Sequence, residues 1–136
     1  MSYQVVYQLT EKQTAELVDL YQKEFWSKNR KYPDVIRMLA ASDINIGLID
    51  ENQQLIGFTR VLTDFVYRAT IYDVIIKDAH RKKGLGAKLM DAVLSHPQLS
   101  TVENIALYCL PEMIPFYERW GFKTNVNNLD LMFRYS

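Results

Sequence analysis

The stretch Arg81-Lys82-Lys83-Gly84-Leu85-Gly86 concentrates more chemistry than any other part of this sequence. Three consecutive cations lead into two glycines, behind an apolar run ending at Ile76 and ahead of a segment with helical spacing. A helix N-terminus offers backbone N–H groups that have no partner inside the helix, plus the positive end of the helix dipole. Glycines there let a ligand approach the backbone with no Cβ in the way. Such a turn suits an anion, most of all a phosphate or pyrophosphate. The other reading is a polar strand-to-helix connection whose cations merely face solvent, and two glycines alone leave both open. Two phosphate loops are excluded. No Gly-x-x-x-x-Gly-Lys-Ser/Thr run exists, and Leu89 stands where a dinucleotide fingerprint needs its third glycine.

Other reactive side chains are sparse. His80 reads as a turn residue, and Cys109, in an apolar run, as a buried small hydrophobe rather than a nucleophile. Two distant histidines and one cysteine make no metal cluster, so no metal is expected. A single cysteine excludes an internal disulfide and fits a reducing compartment. Sixteen basic and sixteen acidic residues cancel, which gives no invitation to nucleic acid or an anionic membrane. No apolar run approaches the ~20 residues of a membrane span. The N-terminus lacks the pattern of a signal peptide. A cytoplasmic protein is expected, and 136 residues suit one domain, 1–136.

The elements that must position the turn follow from pattern. "SYQVVYQL" alternates as a first strand. Thr10-Glu11-Lys12-Gln13 has capping-box spacing and opens a helix with Leu17, Leu20 and Tyr21 on one face, fading near Trp26–Lys28. Pro33 marks the start of a second helix, "DVIRMLAAS", with Val35, Ile36 and Leu39 expected inside. "INIGLID" and "QQLIGFTRVLTD" form a hairpin across Glu51-Asn52, and "ATIYDVIIK" is the next strand. Leu85, Leu89, Met90 and Val93 define a helix after the glycines. "NIALYCL" reads as a strand, Pro111 opens a short helix that stops at Gly121, and the Asn-rich tail reads as a last hairpin. The order β-α-α-β-β-β-α-β-α-β-β makes a mixed α/β (α+β) fold on a largely antiparallel sheet flanked by helices.

Arg81-x-x-Gly84-x-Gly86 behind an apolar strand resembles the acyl-CoA signature Gln/Arg-x-x-Gly-x-Gly/Ala of the GNAT superfamily of N-acetyltransferases. "PFYERWGF", Pro115–Phe122, resembles its second signature, and the strand-helix order matches along nearly the whole chain. The resemblance implies a GNAT-like fold in which a splayed parallel strand pair, "YDVIIK" and "IALYCL", forms the CoA cleft. It implies acetyl-CoA as cosubstrate and transfer of acetyl by direct attack of a primary amine on a small molecule or peptide. Backbone groups of Val74, Ile75 and Ile76 would pair with the pantetheine arm. The amides of Lys82, Lys83, Gly84, Leu85, Gly86 and Ala87 would hold the pyrophosphate, with the Arg81 and Lys82 side chains contributing. Phe116 would pack against cofactor or core.

Tyr117 matches a tyrosine that protonates the departing thiolate in many members; its alternative is packing on an amphipathic helix. Asp73 is the first candidate for general base, against a hydrogen-bonded structural carboxylate, with Asp64 and Glu24 next. The acceptor groove would be lined by Glu24, Trp26, Tyr32, Asp64, Phe65 and Tyr67, the acids attracting a cationic amine. The Asn that many members place before the second signature is missing from "CLPEMIPFY". Members often pair through C-terminal strands, so a homodimer through "LDLMFRYS" is one expectation and a self-contained sheet the other. A non-catalytic acyl-CoA-binding sensor is the alternative function.

Overall fold

The computed structural model describes residues 2–124 and 126–136. Its elements run β1 (Gln4–Val6), α1 (Glu11–Gln22), α2 (Tyr32–Ala41), β2 (Ile44–Ile49), β3 (Leu55–Thr63), β4 (Arg68–Ile76), α3 (Leu85–Leu94), β5 (Asn104–Ala106) and α4 (Ile114–Glu118). By their contacts the residues fall into two compact units, Met1–Ile105 and Ala106–Ser136.

In the first unit the strands lie in the order β1-β2-β3-β4-β5. The pairs from β1 to β4 are antiparallel, and β5 runs parallel to β4. The seam with β5 starts where β4 starts: Glu103 N–H donates to Val66 O and Asn104 N–H to Tyr67 O, each at 3.1 Å. The β2–β3 turn is tied by Asp50, whose Oδ1 accepts from Asn52 N at 2.9 Å and Gln54 N at 3.0 Å.

Thr10 and Gln13 form the expected reciprocal cap of α1, a contribution of ~1 kcal/mol. That helix buries Leu17, Leu20 and Tyr21 against Val35, Ile49, Leu55, Phe58 and Ile75. Fully burying a side chain such as Phe58 or Leu17 stabilises by ~2–3 kcal/mol relative to leaving it exposed. Helix α3 buries Leu85, Leu89, Met90 and Val93. None of these joins that cluster, although α3 also lies on β2, β3 and β4, so the two helical layers cover opposite faces.

Three expectations change. Helix α1 stops at Gln22, because residues 23–29 turn repeatedly and bury Ser27, whose hydroxyl donates to Tyr21 O at 2.9 Å. Ile36 is 45% exposed, since only Val35 of the expected trio points fully inward. The last hairpin does not form among the described residues. In the second unit a turn does occupy Val126–Asn128, with Asn127 and Asn128 at positive φ, but residues 129–136 have no regular structure. A two-stranded hairpin by itself is only marginally stable in water. The second unit otherwise consists of a 3-10 turn at Pro111–Met113 leading into α4, which ends before Gly121 at φ 86°.

Candidate functional site

The approach to the glycine turn is set by a close contact between strands. A Cβ on Gly57 would stand 2.8 Å from Ile76 Cδ1 and 3.3 Å from Ile75 O, so the Ile76 side chain occupies the space that glycine leaves on β3. Lys77 N–H donates to Ile56 O at 2.8 Å, which makes Gly57 and Ile76 a non-hydrogen-bonded pair. The N–H and C=O of Ile76 therefore turn away from β3.

Beyond Ile76 the chain makes one 3-10 turn, Asp78–His80, and then two left-handed residues, Lys82 at φ 64° and Gly84 at φ 75°. Gly84 caps α3, and no side chain caps that end. Lys88 N–H closes the first helical turn on Gly84 O, leaving the amides of Leu85, Gly86 and Ala87 without a helical partner. A Cβ on Gly84 would meet nothing within 4 Å, so the space before the turn is open. Among the described residues Lys82 and Lys83 form no ion pair and stay exposed. Orphan amides, open space and two uncommitted cations fit a pyrophosphate.

Arg81 is used differently. Its Nε donates to Ile76 O at 3.1 Å, its Nη2 pairs with Glu24 at 3.0 Å and its Nη1 with Asp78 at 3.1 Å. The guanidinium folds back along β4 instead of extending over the turn. It joins Glu24, expected on the acceptor side, to the residue expected to meet the pantetheine arm.

Asp73 sits in an irregularity of β4, at φ 59°, where the register with β3 shifts between Phe58 and Arg60. One oxygen, Oδ2, takes three donors: Arg60 Nε at 2.7 Å, Arg30 Nη1 at 2.8 Å and the Tyr21 hydroxyl at 2.8 Å. Burial alone would raise this carboxyl, but the hydrogen bonds and charges of Arg60 and Arg30 outweigh it and hold it below its usual value. Tyr21 moves the opposite way, raised by burial and by the carboxylate it faces. A carboxylate so held is a weak base.

The remaining acceptor-side residues are spread along the first unit. Asp64 Oδ1 accepts from the amides of Val66, Tyr67 and Arg68 at 2.8–3.0 Å, and those bonds lower its carboxyl. It shapes the loop before β4. Tyr67 is 62% exposed and Trp26 41%. Tyr32 begins α2 half-buried, and Phe65 holds a left-handed φ of 64°. Val74 and Ile76 are half-buried, whereas Ile75 belongs to the core.

In the second unit Tyr117 is 8% exposed, with its ring at 5.0 Å from Phe116 and 6.4 Å from Phe122. Burial, with the nearby Cys109 as a smaller cause, pushes its hydroxyl up to about 12. Phe116 lies between Tyr117 and Trp120. Cys109 is exposed rather than buried, because the regular strand ends at Ala106 and no longer turns it inward.

Tyr21, Arg30 and Arg60 were not among the expected site residues. Arg60 had a signal: a lone charge inside the apolar strand "LIGFTRVLT", opposite a neighbouring strand with its own lone acid, Asp73. Arg30 had none, since it lies 43 residues from Asp73 in a segment rich in charge. Among the described residues no group of three metal-binding side chains exists, and no helix is long and apolar enough to cross a membrane.

The chain is similar to known proteins. The sequence model of the Acetyltransferase (GNAT) family matches residues 8–122. An uncharacterized N-acetyltransferase of Porphyra purpurea, ycf52, is 32% identical over 123 residues, covering 88% of this chain and 70% of that protein. GCN5-related N-acetyltransferase 2, chloroplastic, of Arabidopsis thaliana is 30% identical over 104 residues, 74% of this chain and 40% of that one. A crystal structure from Xanthomonas campestris pv. campestris, of a protein belonging to the GNAT family, superimposes with a TM-score of 0.86 at 27% identity, covering 100% of this chain and 94% of that one. With its glycine turn, its strand order and these relatives, the chain belongs to the GNAT acetyltransferase family.

Proposed function

We propose that the protein is an acetyl-CoA-dependent N-acetyltransferase acting on a primary amine, and that residues 1–136 work as one catalytic domain. The observation that carries this reading is the turn at Lys82–Ala87, with its orphan amides, the open space at Gly84 and two exposed lysines. When bound, acetyl-CoA supplies an activated thioester that an amine lone pair can attack directly. The amides from Lys82 to Ala87 bind the pyrophosphate, with Lys82 and Lys83 adding charge. The Ile76 amide, turned away from β3, and the backbone of Val74 two residues before it receive the pantetheine arm as an added strand would, whereas the Ile75 backbone, expected to join them, faces Phe58 of β3.

Tyr117, by its place in the second motif, holds a proton for the leaving sulfur, and a hydroxyl raised to about 12 keeps that proton at every working pH. Asp73 takes a positioning role: it fixes the β4 irregularity beside Val74, and the proton lost by the amine passes to solvent. Arg81 and Glu24 brace the end of β4. The compartment proposed is the cytoplasm, although the Arabidopsis relative is named as chloroplastic.

The test is acetyl-CoA turnover read by thiol release across amino acids, polyamines, aminoglycosides, arylamines and short peptides. Turnover with one amine class supports the proposal. Acetyl-CoA binding without release against any amine would replace it with the sensor reading.

A further inference from the structure

We infer that Arg30 forms an anion subsite in the acceptor groove, and that the acceptor is a small amine carrying a carboxylate, of the amino-acid class. The inference rests on the acetyltransferase reading above and specifies its substrate. It begins from the way the guanidinium is held. Arg30 Nη1 is fixed on Asp73 Oδ2 at 2.8 Å and also reaches Met38 Sδ at 3.8 Å. Two rings flank the group, with its Cζ 4.6 Å from the centre of Tyr21 and 5.5 Å from that of Trp26, and the rings stand at 78° to each other. Its backbone is fixed as well, since Arg30 O accepts from Gln22 Nε2 at 2.7 Å and Arg30 N–H donates to Ser27 O at 3.0 Å.

What is left is an edge. The contacts to Asp73 and Met38 are both made by Nη1, and the side chain is 32% exposed. A guanidinium flanked by aromatic rings and pinned at one nitrogen keeps a planar fork of further donors, the arrangement that binds a carboxylate.

Charge supports the same ligand. Arg30 and Arg60 both face the single carboxylate of Asp73, so the cluster carries one uncompensated positive charge. The acids that would have drawn a cation into the groove are committed elsewhere: Glu24 to Arg81, and Asp64 to three amides of its own loop. Asp73 is also the residue before Val74. One hydrogen bond and one residue therefore separate the open guanidinium from the strand proposed to meet the thioester arm. That short separation suits an anion and a nucleophilic amine on the same small molecule.

The experiment compares alanine and phenylalanine with their carboxamides as acceptors, for wild type, Arg30→Gln and Arg30→Lys. Acceptor binding is measured separately by calorimetry in the presence of CoA. Wild type should prefer each carboxylate over its amide by about tenfold or more in KM and in binding, as expected for a charge-assisted pair of hydrogen bonds. Arg30→Gln should erase that preference by raising KM for the carboxylates alone, with KM for acetyl-CoA unchanged. Arg30→Lys keeps charge but not the planar fork and should fall between them. Equal loss for acid and amide in both variants, or a wild type that binds amides as well as acids, would overturn the subsite. Carboxylate-selective binding without any turnover would keep the subsite and reject the acetyl-transfer reading.

Discussion

Asp73 Oδ2 stands 2.7 Å from Arg60 Nε, and the two residues come from adjacent strands at the point where their register slips. The pair is the centre of a small network that also ties the end of α1, through Tyr21, and the α1–α2 segment, through Arg30, to the strand that leads to the glycine turn. An aspartate at φ 59° is an uncommon backbone state for a residue with a side chain. Three donors on one oxygen compensate that local cost.

Removing Arg60 should hurt more than removing Arg30. The Arg60 side chain is 13% exposed and Asp73 6%, so Arg60→Met leaves a buried carboxylate short of its nearest cation and should cost about 3 kcal/mol. Arg30 is 32% exposed, and water can replace part of its role, so Arg30→Met should cost roughly 1 kcal/mol. Urea unfolding of both variants beside wild type checks the order.

Acid should find the same network. The Asp73 carboxyl is depressed in the folded protein, so its contribution is fully present above the unfolded value near ~3.9 and is lost as pH falls through its lower folded value. Asp73→Asn should be less stable than wild type at neutral pH, and the gap should narrow below about pH 4. Melting temperatures of both proteins across that range read it directly.

At the turn, Gly84→Ala forces a side chain into φ 75°, which should cost about 1 kcal/mol without touching any neighbour. Gly57→Ala acts by a different route. Its methyl meets Ile76 Cδ1 at 2.8 Å and Ile75 O at 3.3 Å, so the Ile76 side chain must turn aside and β4 give by a few tenths of an ångström, with a cost of about 1 kcal/mol and weaker acetyl-CoA binding. Thermal melts with and without acetyl-CoA separate the two effects.

Much of this was legible beforehand. Thr10 and Gln13 announced the α1 cap, Pro33 the start of α2, and Leu85, Leu89, Met90 and Val93 the buried face of α3, because each signal is local. The glycine turn was legible for the same reason. What stayed hidden depends on distance along the chain: Tyr21 and Asp73 are 52 residues apart, and nothing in either neighbourhood announces the pairing. The commitment of Arg81 to Glu24, 57 residues away, was hidden in the same way. The C-terminal run "LDLMFRYS" shows the opposite failure, since its alternation suggests a strand but alternation supplies no partner for a ladder.

Tyr117→Phe should lower kcat by about 100-fold while leaving KM for acetyl-CoA nearly unchanged. A hydroxyl raised to about 12 stays in its acid form as pH rises, so the ratio of wild-type to variant rates should be flat from about pH 6 to pH 10. A pH–rate profile of both proteins measures it.

The most direct test of the central claim is calorimetric titration of acetyl-CoA into wild type and into Gly84→Glu. The account predicts saturable binding to wild type, also shown by CoA and not by NAD, and its loss when a carboxylate is placed in the open space before the turn. Equal binding by the two proteins, or none by wild type, would contradict it.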